Sequence, residues 1–467
     1  MTIDQPRMSN PYLEGVCAPV SEELTAVDLP VTGTIPDELE GRWLRNGPNP
    51  INEVDPSTHH WFSGDGMVHG VRLRGGRAEW YRNRWVRSDT VAAALGEEPV
   101  GGPGFGGRTD HGPNTNVGGF AGRTWAMVEG GGTPCELTYE LDTIARNDFG
   151  GTLPAAFSAH PKYDPSSGEL HAMTYAWPDL MDHIQYVVVG PDGLVSKAVD
   201  IPVNDMPMIH DISITERYAV VFDLAVTVDF DVMAKGINVP FGWQDGRHCR
   251  VGLLPRDAVD GSAIIWCDVD PCALFHPLNA YDDADGNVVI DFCRYQSMFA
   301  TDHLGPFGDA TPTLDRWTIN PQTRAVHEER VDDRGHEFPR HDPRVALKPH
   351  RYGYSAEVNP GAPMLHGATL KTDYHGGAVT GHDYGAGRGG AEPVFVPKAD
   401  SSAEDDGWLI TLVHDLNGGT DGGLGAELHI LDANDLSAPE VARITLPAHV
   451  PVGFHGNWVP DSSVAPD

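Results

Sequence analysis

Short β-rich runs closed by glycine turns follow one another along this sequence, and long amphipathic helical windows are few, so the chain must bury its apolar residues with sheets. The turns can be placed. VRLRGGRAEWYRNRWV reverses at Gly75-Gly76, VVVGPDGLVSKAVDIPV at Asp192-Gly193 and AYDDADGNVVIDFCRY at Asp285-Gly286, each between alternating or wholly apolar flanks. YDPSSGELHAMTY, WTINPQTRAVHEERV and ELHILDANDLSAPEVARITLP read the same way. With 54 glycines and 38 prolines in 467 residues, this is all-β texture in a chain too long for one sandwich. A β-propeller, whose radial repetition leaves few exposed sheet edges, fits it. No exact repeat fixes the number of blades. Two glycine-rich segments, residues 96–114 and 374–390, read as loops over one face rather than as linkers, because strand-like patterning resumes on both sides of each. One domain over residues 1–467 is the simpler expectation.

Charge narrows the partners. Against 67 Asp and Glu stand 32 Lys and Arg, a formal net charge of -35, which excludes nucleic acid and leaves no polybasic segment for anionic lipid. Peripheral contact with a neutral or apolar membrane surface stays open. The N-terminal residues show no basic region followed by an apolar one, and no run is long enough to span a bilayer, so the expected compartment is cytoplasmic. Cys17, Cys135, Cys249, Cys267, Cys272 and Cys293 form no CxxC pair and read as buried reduced thiols.

Four histidines stand in short apolar or turn-like settings: His160 in SAHPK, His210 in MIHDIS, His276 in LFHPLN and His455 in GFHGNW. No local zinc motif has such wide gaps, so only distant strands of a closed fold could bring these rings together. Imidazole suits Zn, Cu, Fe and Ni, and four neutral ligands would leave the ion's full charge for a surrounding shell of carboxylates. Glu129, Glu337 and Glu392, each among apolar or proline neighbours, are candidates for that shell, with an exposed turn carboxylate as the alternative. A histidine beside phenylalanine also occurs as ordinary core, and among 22 histidines the residues alone do not select four. Asp65-Gly66 reads as a tight turn, and Asp211 and Asp415, each after a histidine, as ordinary hydrogen-bonded aspartates. There is no GxSxG, HExxH or Walker loop.

The strings RNGPNP (Arg45 to Pro50), FSGDGMVHG (Phe62 to Gly70), NTNV (Asn114 to Val117), SAHPKYDP, MIHDISIT, FHPLNAY, EFP, EPVFVP and GFHGNW occur in an order that resembles the carotenoid cleavage oxygenase family, from about Leu13 to the C-terminus. The resemblance implies a seven-bladed β-propeller with a helical and loop cap over one face, His160, His210, His276 and His455 as ligands of an axial Fe(II), and Glu129, Glu337 and Glu392 as outer-sphere partners of three of them. It implies a dioxygenase that joins O2 to an electron-rich C=C bond of a small apolar polyene or aromatic alkene and releases two carbonyl products, with the protein supplying position, dryness and shape. A propeller kept only as a binding module would show a broken ligand set, whereas every ligand motif is intact. Isomerisation with hydrolysis of a retinoid ester, a route that consumes no O2, is compatible with the same ligands.

Relatives that split stilbenes or propenyl phenols hold the phenol with a Tyr and a Lys. Here Trp85 stands at the place of the Tyr, and no lysine precedes Lys162. A carotenoid or apocarotenoid is therefore the favoured substrate, with Trp85 as an apolar wall and a phenolate held by Arg108 or His111 as the alternative. Phe62, Phe275, Phe338 and Phe454 are candidates to line the tunnel, core packing being the other reading. An apolar entrance patch is expected by resemblance, though no segment identifies it.

Overall fold

The computed structural model describes residues 9–104, 112–464 and 466, apart from 176, 178, 179, 306–308, 361, 363 and 420–422. Seven antiparallel sheets form the blades of a β-propeller. The second blade runs Asn116–Phe120, Arg123–Met127, Cys135–Leu137 and Thr143–Arg146. The third to sixth repeat this up-and-down order, opening with Lys162–Asp164, Ser213–Ile214, Ala273–Asp282 and His336–Arg340 respectively. Both ends of the chain close the ring. Gly456–Pro460 pairs with Gly41–Pro48 at the edge of the first blade, Leu44 facing Asn457, while Val31–Gly33 completes the far edge of the seventh against Ala442–Thr445, Thr32 facing Arg443. The open edges of two sheets are thereby used up in closure.

Packing between blades explains the wholly apolar runs. A strand with a neighbouring blade on each face is buried on both, as His183–Val189 is beyond its first residue, whereas outer strands such as Val195–Pro202 alternate. One cluster, with Trp43, Val71, Ile410, Leu428 and Ile444, joins the first blade to the seventh across the seam. Another, with Phe222, Val251, Ile290, Phe292 and Trp317, joins the fourth to the fifth.

The expected turns are present, with Gly76, Gly193 and Gly286 at φ of 70°, 78° and 81°. All six cysteines are buried and free, and no described helix is long and apolar enough to cross a membrane. Two expectations fail. Residues 374–390 are not a surface loop: they supply Ala378–His382 at the edge of the sixth blade and Arg388–Gly390 in the seventh. Glycine is used there for close approach, since a Cβ on Gly389 would lie 1.8 Å from His366 O. In the other glycine-rich segment, residues 105–111 lie outside the described residues. Asp65 makes no tight turn but leads into Gly66–Arg74, accepting from Ile51 N at 3.1 Å.

From the fourth blade, between Tyr218–Asp223 and Arg250–Pro255, rises a ribbon of Val226–Val228 and Phe241–Trp243 carrying the short helix Phe230–Ala234. This ribbon and the turn Trp61–Ser63 wall one cavity.

A net charge of -35 on a folded ring is self-repelling, and salt screens it. Thermal melts should rise by roughly 2–4 °C, the equivalent of about 2–4 kcal/mol in a chain of this length, between about 0.01 and about 1 M salt, over which the Debye length falls from about 30 to about 3 Å. A flat or falling midpoint would show that surface ion pairs already balance the repulsion.

Candidate metal centre

Each of the four histidines sits at or just before the strand that opens a blade or closes the ring. His160 and His210 precede Lys162–Asp164 and Ser213–Ile214, His276 lies within Ala273–Asp282, and His455 precedes Gly456–Pro460. Four different blades thus deliver one buried cluster, its candidate donor atoms all within 4.8 Å of one another and His210 Nε2 3.3 Å from His276 Nε2. These separations fit a single first-row ion: imidazole nitrogens about 2.1 Å from a shared centre stand roughly 3 Å apart when adjacent and roughly 4 Å apart when opposite. His160 Nε2 is buried with no hydrogen-bond partner, as a donor atom reserved for a metal should be. Among the described residues the other metal-capable group is Asp164, Glu169 and His171. There Arg256 Nη2 lies 2.6 Å from Asp164 and 3.0 Å from His171 Nε2, so a guanidinium already takes the cation's place.

Three carboxylates back three of the rings. Glu129, just beyond Arg123–Met127, lies 2.5 Å from His210 Nδ1; Glu337 accepts from His276 Nδ1 at 2.5 Å, and Glu392 from His455 Nδ1 at 2.9 Å. With Nδ1 turned to a carboxylate in each of the three, hydrogen-bonded in His276 and His455, each Nε2 is free to face the cluster. Glu337 also accepts from Phe338 N at 2.6 Å, across a bulge that puts Phe338 at φ 51°, a strained setting for a non-glycine residue. His160 differs: its nearest carboxylate oxygen, on Asp211, is 3.9 Å away and is held by Lys162 at 2.7 Å. Asp415 is engaged by Arg388 at 2.7 Å.

Burial sets the electrostatics. It drives the His160 pKa well below the usual imidazole value, aided by the neighbouring rings, and takes His455 down to about 4 against the pull of Glu392. At His276 burial acts the same way, but Glu337 outweighs it and the pKa rises. The Glu392 carboxyl, which burial alone would raise, is lowered by Arg340 and His455. Arg340 Nε donates to Glu392 at 2.8 Å, so beside a dipositive ion and three carboxylates it would supply the positive charge that balances them.

RNGPNP contains no ligand, yet it cradles one. Asn46 N donates to His455 O at 3.0 Å and Phe454 N to Asn46 O at 3.0 Å, while Arg45 Nη1 donates to Pro451 O at 2.9 Å. A Cβ on Gly47 would lie 2.7 Å from Gly453 Cα. The motif is therefore shaped to the loop that carries His455.

A cavity of about 410 Å³ opens on the cluster, walled by Phe62, Phe275, Phe338 and Phe454 together with His210, His276 and His455. Phe338 stacks on His276 at 5.1 Å, and Phe275 meets His210 edge-on at 4.7 Å. Trp85 does not belong to this wall. It ends Arg77–Trp85, packs with Met67 and Val91 and donates to Asn49 O at 2.9 Å, because its strand directs it into a separate cluster. Arg108 and His111 lie outside the described residues. Sequence reading missed Tyr175, Trp177, Met206, Met208, Phe241 and Tyr295, which also line the cavity but carry no motif. A second cavity of about 750 Å³, of mixed lining, reaches His160, His276 and His455, past Lys162, Asp211 and Arg340.

The family model described as retinal pigment epithelial membrane protein matches residues 17–460. Over 97% of its length the chain is 44% identical to a carotenoid cleavage oxygenase of Mycobacterium tuberculosis, covering 98% of that protein. The chain belongs to the carotenoid cleavage oxygenase family. Within that family it is 30% identical to carotenoid 9,10(9',10')-cleavage dioxygenase 1 of Phaseolus vulgaris, covering 97% of this chain and 90% of the relative. Among solved structures, the cobalt-substituted Synechocystis ACO is 28% identical with a TM-score of 0.83, over 95% of this chain and 97% of that one. The Pseudomonas brassicacearum lignostilbene dioxygenase is 26% identical with a TM-score of 0.85, over 98% and 100%. This member of the carotenoid cleavage oxygenases is accordingly an oxygenase whose four buried histidines form a possible metal site.

Glu337→Gln should keep the fold and lower metal affinity about 10–100-fold, read by metal retained against a graded chelator series; unchanged retention would remove Glu337 from any role at the centre. Gly47→Ala should give a protein with native circular dichroism and reduced metal content, because the added methyl group displaces the loop bearing His455. Full metal loading in that variant would contradict the cradle.

Proposed function

We propose that this chain is a non-haem Fe(II) dioxygenase that cleaves a C=C bond of a carotenoid or apocarotenoid with O2 into two carbonyl products. The observation that supports the reading is the meeting of four imidazoles with the end of an aromatic-walled cavity. Neutral nitrogen donors suit several first-row ions, but chemistry with O2 calls for a redox-active one, which sets zinc aside, and the family resemblance favours iron. His160, His210, His276 and His455 would hold the ion, and Glu129, Glu337 and Glu392 would fix the direction of three of those rings. Bound Fe(II) supplies the activation of O2.

The side chains supply position and dryness. Phe62, Phe275, Phe338 and Phe454 would grip a flat conjugated chain and exclude water from the reacting bond. The balance R–CH=CH–R′ + O2 → R–CHO + R′–CHO requires no net proton from the protein, in keeping with a cavity whose carboxylates are both engaged with imidazoles. A polyene is favoured over a phenol because lysine is absent from this wall among the described residues, Lys162 lying in the second cavity instead. At the mouth Met181, Phe230 and Met233 are 52%, 62% and 45% exposed and would meet an apolar membrane surface from which substrate is drawn.

The test incubates iron-loaded enzyme with carotenoids, apocarotenals and hydroxystilbenes and identifies the aldehydes by mass. Paired aldehydes from a polyene, absent under argon and reduced to background in His276→Ala, are expected. Turnover under argon would point to isomerisation and hydrolysis, and turnover of hydroxystilbenes alone would overturn the substrate while leaving the metal site.

A further inference from the structure

Nearly every oxygen-bearing side chain on the wall of the cavity is already committed. Ser63 Oγ donates to His60 O at 2.7 Å, Asn114 Nδ2 to Phe62 O and Gly64 O at 2.8 and 2.7 Å, and Thr115 Oγ1 to Asn114 Oδ1 at 2.9 Å. Glu129 and Glu337 hold imidazoles, and Tyr295 OH donates to Glu337 at 2.9 Å. Asn238 lines the cavity and is exposed to solvent. Tyr175 is the exception. It is 3% exposed, lies against Trp177 and Phe241 with ring centroids 6.4 and 6.2 Å away, and among the described residues nothing hydrogen-bonds its hydroxyl. Tyr175 also borders the cavity. A phenol so placed has a hydrogen bond to offer whatever occupies the cavity.

We propose that Tyr175 determines specificity: its hydroxyl binds the terminal oxygen of the substrate, a hydroxyl or carbonyl end group, so that oxygenated carotenoids and apocarotenoids are preferred over hydrocarbon carotenes. The physical need is one of register. A conjugated chain offers many similar C=C bonds, and apolar walls are nearly indifferent to its sliding past them. One polar contact at a fixed point on the wall selects which bond stops at the histidines. The inference rests on the reading of the site as polyene-cleaving.

Tyr175→Phe removes one oxygen and keeps the ring. Three readouts separate specificity from packing: kcat/KM for an alcohol, an aldehyde and a hydrocarbon of equal chain length, the masses of the aldehydes formed, and binding to the metal-free protein by quenching of tryptophan fluorescence, Trp61 and Trp177 being in the wall. The expected result is a loss of about tenfold in binding and in kcat/KM for the oxygenated chains, the size of one hydrogen bond. That loss falls in KM, the hydrocarbon stays within about twofold, and products of neighbouring bonds appear. A loss on the alcohol alone or the aldehyde alone supports the proposal and names the end group. Equal losses on all three chains, no loss on either oxygenated chain, or a wild type that favours the hydrocarbon would overturn it. If the wild type cleaved no polyene, the proposed function would fall instead, while the fluorescence titration would still decide what Tyr175 binds.

Discussion

Four imidazole rings meeting at one buried point are what the rest of this molecule has to support. Imidazole nitrogens gathered within 4.8 Å, with His160 Nε2 buried and unpartnered, would be held by a cation among them and anions behind them. Glu129, Glu337 and Glu392 are those anions, and the Arg340 pairing with Glu392 brings back a positive charge. A closed ring of blades is well suited to such convergence, because each opening strand points at the axis from a different direction and no local segment has to make the site alone.

The supporting parts share this logic. The loop with His455 is gripped by Asn46 and Arg45 and fits against Gly47, so the ring's final seam and one candidate ligand are set by the same contacts. Strain is placed beside another: Phe338, at positive φ, stacks on His276 while its own N–H is taken by Glu337. His160, without a close carboxylate, has the Asp211–Lys162 pair near it, and that pair faces the second cavity rather than the aromatic one. The cluster is thus approached from two unlike sides, one walled by aromatic rings and one that also carries Lys162, Asp211 and Arg340.

Legibility in the sequence followed the range of the interaction. The turns at Gly76, Gly193 and Gly286 are local, and each lies where its dipeptide placed it. Apolar runs such as Val288–Tyr295 reflected burial between blades. Residues 374–390 misled because glycine marks close backbone approach as readily as it marks a loop, and only the neighbour at Gly389, His366 O, tells the two apart. Trp85 misled for a related reason: it lies in the expected strand, but no residue of that strand lines the cavity, and Trp85 packs with Met67 and Val91 instead.

Taken alone, the sequence determined the all-β texture, the acidic surface, the buried reduced thiols and, through motifs matched to a family, the histidines and glutamates to look for. These are properties of residue type and short-range order, which a linear string carries. The tertiary structure decided which glutamate backs which histidine, that Phe62, Phe275, Phe338 and Phe454 share one wall while Trp85 does not, and that Tyr175 faces the cavity with its hydroxyl unengaged. Those are contacts between residues far apart in the chain, fixed by strand register and blade closure, and no local pattern encodes them.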